Sequence, residues 1–267
     1  MFRDPSRRTV FFIWLGWVII MLAYQALVPA RFSLERPDQA LSWTPGETQA
    51  DSQEGKKYLT DPFLNAHVSW DSEYYLAIAN GGYEDPAIQR INVGGELLSG
   101  GGYWPFVIPT SNGVPRAGIP LSYAFFPLYP LVTRLVAWPL TLFGLSDVAT
   151  VTLAGVVVSM LGTLAAMLAL YELACQELDQ ASGVRAAFYL LIFPSGFFLA
   201  QVYTEGLFVG LAFSSLVLLR RGHRGWAALL AILIVTPIIF QPELRRLLEQ
   251  IGRGTGLTWE VRQTVAE

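Results

Sequence analysis

Residues 68–83 read VSWDSEYYLAIANGGY, and their acid and phenols are the first groups in the chain that could do chemistry. Asp71, Tyr74, Tyr75 and Ile78 recur at i, i+3, i+4 and i+7. That spacing predicts a short helix with a carboxylate, two phenols and an aliphatic anchor on one face. Asn80, Gly81 and Gly82 supply its stop. A second acid, Glu205, closes the stretch QVYTE between apolar runs, where an ionisable side chain is costly unless paired or facing a cavity. A carboxylate beside aromatic rings at a membrane surface suits a catalyst acting on something polar attached to a lipid.

Transfer of a group to a hydroxyl acceptor needs a base to take the acceptor's proton as the new bond forms. It also needs donors or positive charge on an anionic leaving group such as a phosphate. Asp71 is the candidate base; Asp is equally a favoured helix N-cap, and Ser72 with Glu73 suits a first turn, so capping stands beside catalysis. Glu73 lies two positions on and points elsewhere on a helix, so it reads first as a solvated acid and second as a site residue. Tyr74 and Tyr75 can stack on a sugar ring or join an interfacial aromatic belt. For the phosphate, Lys56, Lys57, Arg90, Arg116 and Arg134 all qualify, and nothing singles one out. His67 and His223 are too far apart for a metal pair, and no metal or cofactor is expected.

These residues must be positioned by a chain that is mostly apolar. Of its 267 residues 53% are hydrophobic and only 15% charged, against about a quarter in a typical soluble domain. The net charge of -3 gives no basic stripe and argues against nucleic acid as a partner. The single cysteine, Cys175, cannot form an internal disulfide.

Arg3, Arg7 and Arg8 precede an apolar run over residues 10–28, longer than the core of a signal peptide, which predicts a first membrane helix with a cytoplasmic N-terminus. Residues 29–120 form a long outer loop, rich in Gly and Pro after the WDSEYY helix. Residues 121–143 return to the membrane with a start broken by Pro127 and Pro130. Residues 148–170 read as a clean span, 177–185 as a polar turn, and 187–200 as a short apolar segment interrupted by Pro194-Ser195-Gly196. A further apolar run covers 207–219, and the basic cluster 220–224 belongs in the cytoplasm. That puts Glu205 near the outer surface, on the side of Asp71. The span 226–240 then exits and leaves Arg245, Arg246 and Arg253 outside, against the positive-inside tendency; either an earlier segment is re-entrant or the tail belongs to another architecture.

Three blocks together, WDSEYYLAIANGGY (70–83), YAFFPLYPLV (123–132) and FPSGFFLAQVYTEGLF (193–208), resemble the PIG-V-type mannosyltransferases, relatives of GPI mannosyltransferase 2. The resemblance covers roughly the first 220 residues. It implies an all-α polytopic membrane protein, a glycosyltransferase bundle of the GT-C type with a long outer loop after the first helix. It implies a polyprenyl-phosphate mannose donor, a glycan or lipid-linked acceptor, and an essential acid in the first outer loop. Trp70 and Asp71 match that loop motif, and Glu205 matches the acid of the family's YTE segment. Trp70, Glu73, Tyr74 and Tyr75 are then candidate substrate-binding residues. The loop between Tyr83 and Tyr123 looks longer than in the family, and the chain ends before the family's later helices.

Residues 229–254, LLAILIVTPIIFQPELRRLLEQIGRG, resemble the last membrane helix and linker of membrane-bound diadenylate cyclases. The Asp-Gly-Ala and Arg-His-Arg motifs of their catalytic domain do not occur before Glu267. The expectation is a fused chain, a shortened transferase region over 1–224 and a cyclase-like anchor over 225–267. The leading function is mannosyl transfer at the outer face; the alternative is a cyclase anchor fragment. A transporter ranks last, because broken helices fit one but no inverted repeat is visible.

Overall fold

The computed structural model describes residues 4–31, 61–69, 71–83, 90–91, 107–108, 116–117 and 119–235. Eight helices are described: α1 (Pro5–Arg31), α2 (Pro62–Asn65), α3 (Ser72–Gly81), α4 (Leu128–Leu140), α5 (Asp147–Glu177), α6 (Gln180–Ile192), α7 (Glu205–Arg220) and α8 (Arg224–Val235). The described strands are four of two residues each, forming two antiparallel ladders, Arg90–Ile91 with Ile119–Pro120 and Val107–Ile108 with Arg116–Ala117. The protein is all-α in its described framework.

The central element is α5, against which α1, α3, α4, α6 and α7 all pack. Its start is fixed by Ser146, whose hydroxyl accepts from the Ala149 N–H at 3.3 Å. At 31 residues it is about 46 Å long, more than the ~30 Å of a bilayer's hydrocarbon core. Together α1 and α5 are the two described helices long and apolar enough to cross a membrane. The surfaces left outside the packing are apolar: Phe12, Ile20 and Leu27 on α1, and Leu135 and Trp138 on α4, are all more than half exposed. Exposed apolar faces of that extent suit lipid far better than water.

Small residues let α5 and α7 approach closely. A Cβ on Gly162 would come within 2.5 Å of the Gly206 carbonyl oxygen, and one on Gly210 within 2.5 Å of the Gly162 oxygen. The contacts run in register, Ser159 and Gly162 beside Gly206 and Gly210, and Glu172 beside Arg221, so the two helices are parallel. Helix α1 runs the other way: Trp14 Nε1 donates to the Met160 carbonyl at 3.0 Å, and Arg7 meets Glu172 at 3.1 Å.

One expectation holds and another is corrected. Residues 121–143 do not run as one unbroken helix, as their prolines indicate. They divide into a 3-10 turn (Leu121–Ala124), α4 of 13 residues and a second 3-10 turn (Thr141–Phe143). Helix α4 is only about 20 Å long, with Pro127 at its N-cap position and Pro139 inside its last turn. Residues 177–185 are not a polar turn either: α5 runs on to Glu177 and α6 begins at Gln180. The Asp179 carboxylate accepts from the Ser182 N–H at 2.6 Å and starts the new helix. The interruption at Pro194-Ser195-Gly196 is present as a turn leading into a 3-10 segment, Gly196–Ala200. Residues 236–267, which include most of the cyclase-like stretch, lie outside the described residues.

Candidate active site

Asp71 occupies the N-cap position of α3, yet its side chain makes no capping bond and is exposed. The turn before the helix is braced by a neighbouring serine instead. Ser72 Oγ donates to the Ser69 carbonyl at 2.7 Å and accepts from the Ser69 N–H at 3.2 Å. The capping alternative for the Asp71 carboxylate therefore does not hold in this geometry.

One turn on, Tyr75 is half-buried among rings: Tyr129 at 5.3 Å and Phe125 at 5.4 Å, both edge-on, and Tyr203 at 6.4 Å. Burial first, and then the Asp71 charge, push its phenol above the usual tyrosine range, partly offset by a hydrogen bond with the Thr204 side chain. Its hydroxyl is held as a donor. Tyr74 faces differently: it is buried, its ring stacked on Phe125 at 4.3 Å and 14°. Glu73 is corrected outright. It is 2% exposed, not solvated, because it shares the i, i+3, i+4 face of Leu76 and Ala77, which are fully buried. Trp70 lies outside the described residues.

Across from α3 stands Glu205, the first residue of α7, ahead of the apolar run that begins at Leu207. Its Oε2 is buried with no hydrogen-bond partner. A carboxylate at a helix N-terminus is ordinarily favoured by the exposed N–H groups. Here burial outweighs that help, and the Asp71 charge adds to it, so the Glu205 carboxyl is pushed above its ordinary value. The two acids are 134 positions apart in sequence, yet one presses electrostatically on the other.

The middle block packs beside them. Tyr129, fully inside, donates to the Gly155 carbonyl at 2.9 Å, and its hydroxyl lies 3.0 Å from Ser159 Oγ. Ser159 in turn donates to the Tyr203 carbonyl at 3.0 Å. A Cβ on Gly155 would sit 3.2 Å from the Tyr129 hydroxyl and 3.1 Å from Val202, so an added methyl group would press on both side chains. Tyr83 Oη donates to the Phe125 carbonyl at 2.8 Å and ties the end of α3 to the same block.

The structure thus brings together Asp71, Tyr75 and Glu205, keeps Tyr74 and Glu73 buried nearby on α3, and adds residues the sequence did not single out. Tyr129 lies within a motif that assigns it no role, Ser159 lies in the run that reads as a clean span, and His67 reads only as half of a rejected metal pair. Of the cations named for phosphate, Arg134 is exposed on α4, and Lys56 and Lys57 lie outside the described residues.

The family model described as Mannosyltransferase (PIG-V) matches residues 106–238. Two curated proteins are similar to the chain. GPI alpha-1,6-mannosyltransferase 2 of Mus musculus is 29% identical over 229 residues, covering 84% of this chain and 38% of that protein. The protein of the same name from Rattus norvegicus is 29% identical over 230 residues, with the same coverages. The chain therefore spans well under half the length of these relatives. No solved structure matches it.

Proposed function

We propose, from its likeness to the PIG-V mannosyltransferase family over residues 106–238, that the chain transfers mannose from a polyprenyl-phosphate donor to a hydroxyl of a glycan or lipid-linked acceptor. The observation that carries this reading is an exposed, non-capping carboxylate, Asp71, set against a second, partly buried acid on another helix. In the proposed step the acceptor oxygen attacks the anomeric carbon, and its proton passes to the Asp71 carboxylate. The bond from that carbon to the phosphate oxygen breaks, the electron pair leaves with the lipid phosphate, and the anomeric configuration inverts. Glu205, its carboxyl pushed above its ordinary value by burial and by the Asp71 charge, stands beside the base, an environment that drives two acids apart into two roles. Tyr75 offers a hydroxyl donor at the same place. Trp70, Glu73 and Tyr74 are proposed to shape the sugar subsite around them.

The membrane arrangement is part of the same proposal: a multi-pass GT-C-like bundle with its N-terminus in the cytoplasm and its acids toward the outer face. In support, Arg7 and the basic cluster at Arg220 and Arg221 meet at one end of the bundle. Glu205 stands at the opposite end of α7, about 22 Å away along the helix.

Mannose transfer from a labelled lipid donor, measured in membranes carrying the chain or its Asp71→Asn variant, tests the assignment. Asp71→Asn is expected to lose roughly 10²- to 10⁴-fold in rate. Equal activity in the two would remove Asp71 from the role of base.

A further inference from the structure

Four residues before Asp71, His67 is buried to 1% exposure in the turn between α2 and α3. Its Nδ1 lies 3.3 Å from the Ala200 carbonyl oxygen, and its own carbonyl accepts from the Val202 N–H at 3.2 Å. Ala200 and Val202 stand five and three residues before Glu205. One residue thus grips, through side chain and backbone, the segment that delivers the second acid. Phe63 closes the ring edge-on at 5.0 Å. A carbonyl can only accept, so Nδ1 carries the hydrogen in this contact. Burial pushes the imidazole down to about 4, against smaller upward contributions from the Ala200 carbonyl and the Gln201 side chain, which leaves the ring neutral and the tautomer fixed.

We propose that His67 is a positioning residue for the transfer reaction: its bond to Ala200 and its backbone bond from Val202 hold the loop bearing Asp71 against the segment bearing Glu205. The proposal rests on the assignment of those two acids to one site. After the Gly196–Ala200 segment the backbone is bend, held besides by the Ser159 bond to the Tyr203 carbonyl and by the Thr204 bond to Tyr75. Such backbone depends on tertiary bonds to hold its place, and a displacement of about 1 Å between reacting groups is enough to cost on the order of a hundredfold in rate.

The test uses His67→Ala, which removes the donor, and His67→Asn, whose side-chain amide can present an N–H near the position of Nδ1. Two readouts are needed. In the transfer assay, His67→Ala is expected to lower kcat roughly ten- to a hundredfold with KM little changed, and His67→Asn to recover most of it. In the second, independent of activity, Asp71→Cys and Glu205→Cys are joined by a short bismaleimide in a Cys175→Ser background. His67→Ala is expected to cut the cross-linking yield severalfold, and His67→Asn to restore it. Wild-type cross-linking and wild-type kcat in His67→Ala would overturn the proposal. If His67→Ala does not fold, His67→Asn decides: a loss of kcat and cross-link there in a folded protein also overturns it. Full activity in Asp71→Asn with a His67-dependent cross-link would instead sink the functional assignment and leave the positioning role standing.

Discussion

The two ends of α7 handle acidic side chains in opposite ways. At its C-terminal end, Glu172 of α5 is held by two arginines from different helices. Arg221 grips it with a fork, Nε to Oε1 at 2.6 Å and Nη2 to Oε2 at 2.5 Å, while Arg7 approaches at 3.1 Å. Arg220 is bonded to Glu177 and also reaches Gln176. At the N-terminal end, the Glu205 carboxyl meets burial and another carboxylate, and its Oε2 is left without a hydrogen bond. Paired charge closes a bundle; acids set against each other raise one another's proton affinity and ready a group for chemistry. The difference separates what holds the helices together from what the bundle is built to present.

That contrast breaks most decisively at Asp71. Asp71→Asn is expected to lower transfer by roughly 10²- to 10⁴-fold while leaving thermal unfolding nearly unchanged, since the side chain is exposed and makes no capping bond. A large fall in melting temperature would mean that the residue works as structure and that both ends of the helix are alike.

Between the two ends lies the glycine seam, and Gly206→Val is the next largest effect. Its Cβ would collide with the Ser159 carbonyl, an unyielding backbone atom. The helices must separate, at a cost of about 1–3 kcal/mol and with a shift of the neighbouring Glu205. Lower stability together with lower activity is expected, measured by unfolding in detergent alongside the transfer assay.

Glu172→Gln probes the paired end. It removes a charge shared by two arginines that remain partly in water, so a loss of about 1–3 kcal/mol is expected, with kcat retained in the protein that stays folded. A selective loss of kcat would tie this end to the chemistry.

Much of this division was legible from sequence, because the three blocks carrying the acids and rings are local patterns that fold locally. The prolines at 127 and 130 announced the broken start of α4. Glu73 was misjudged although its spacing to Leu76 and Ala77 already placed it on their face; the acid's usual preference for water was weighed above the period. Asp179 was read as part of a turn, when its spacing to Ser182 is that of a cap. Other features had no local signal. Arg7 and Glu172 are 165 positions apart and His67 and Ala200 are 133 apart, so those contacts arise only when the helices pack.

The smallest effect sharpens the comparison through pH. Glu205 has a carboxyl raised in the fold, so the folded state binds its proton more readily than the unfolded chain does. Below the unfolded value both states are protonated and burial carries no charge penalty. As pH rises through the folded value, the buried group ionises beside Asp71 and stability is lost. Glu205→Gln has no proton to lose there. Its unfolding midpoint is expected to match the wild type at acid pH and to exceed it slightly as pH rises toward neutrality, whereas Glu172→Gln stays below the wild type at neutral pH, where the ion pairs it removes are intact. Parallel pH profiles for wild type and Glu205→Gln would mean that Glu205 is compensated in the fold after all, and that the acid end resembles the paired one.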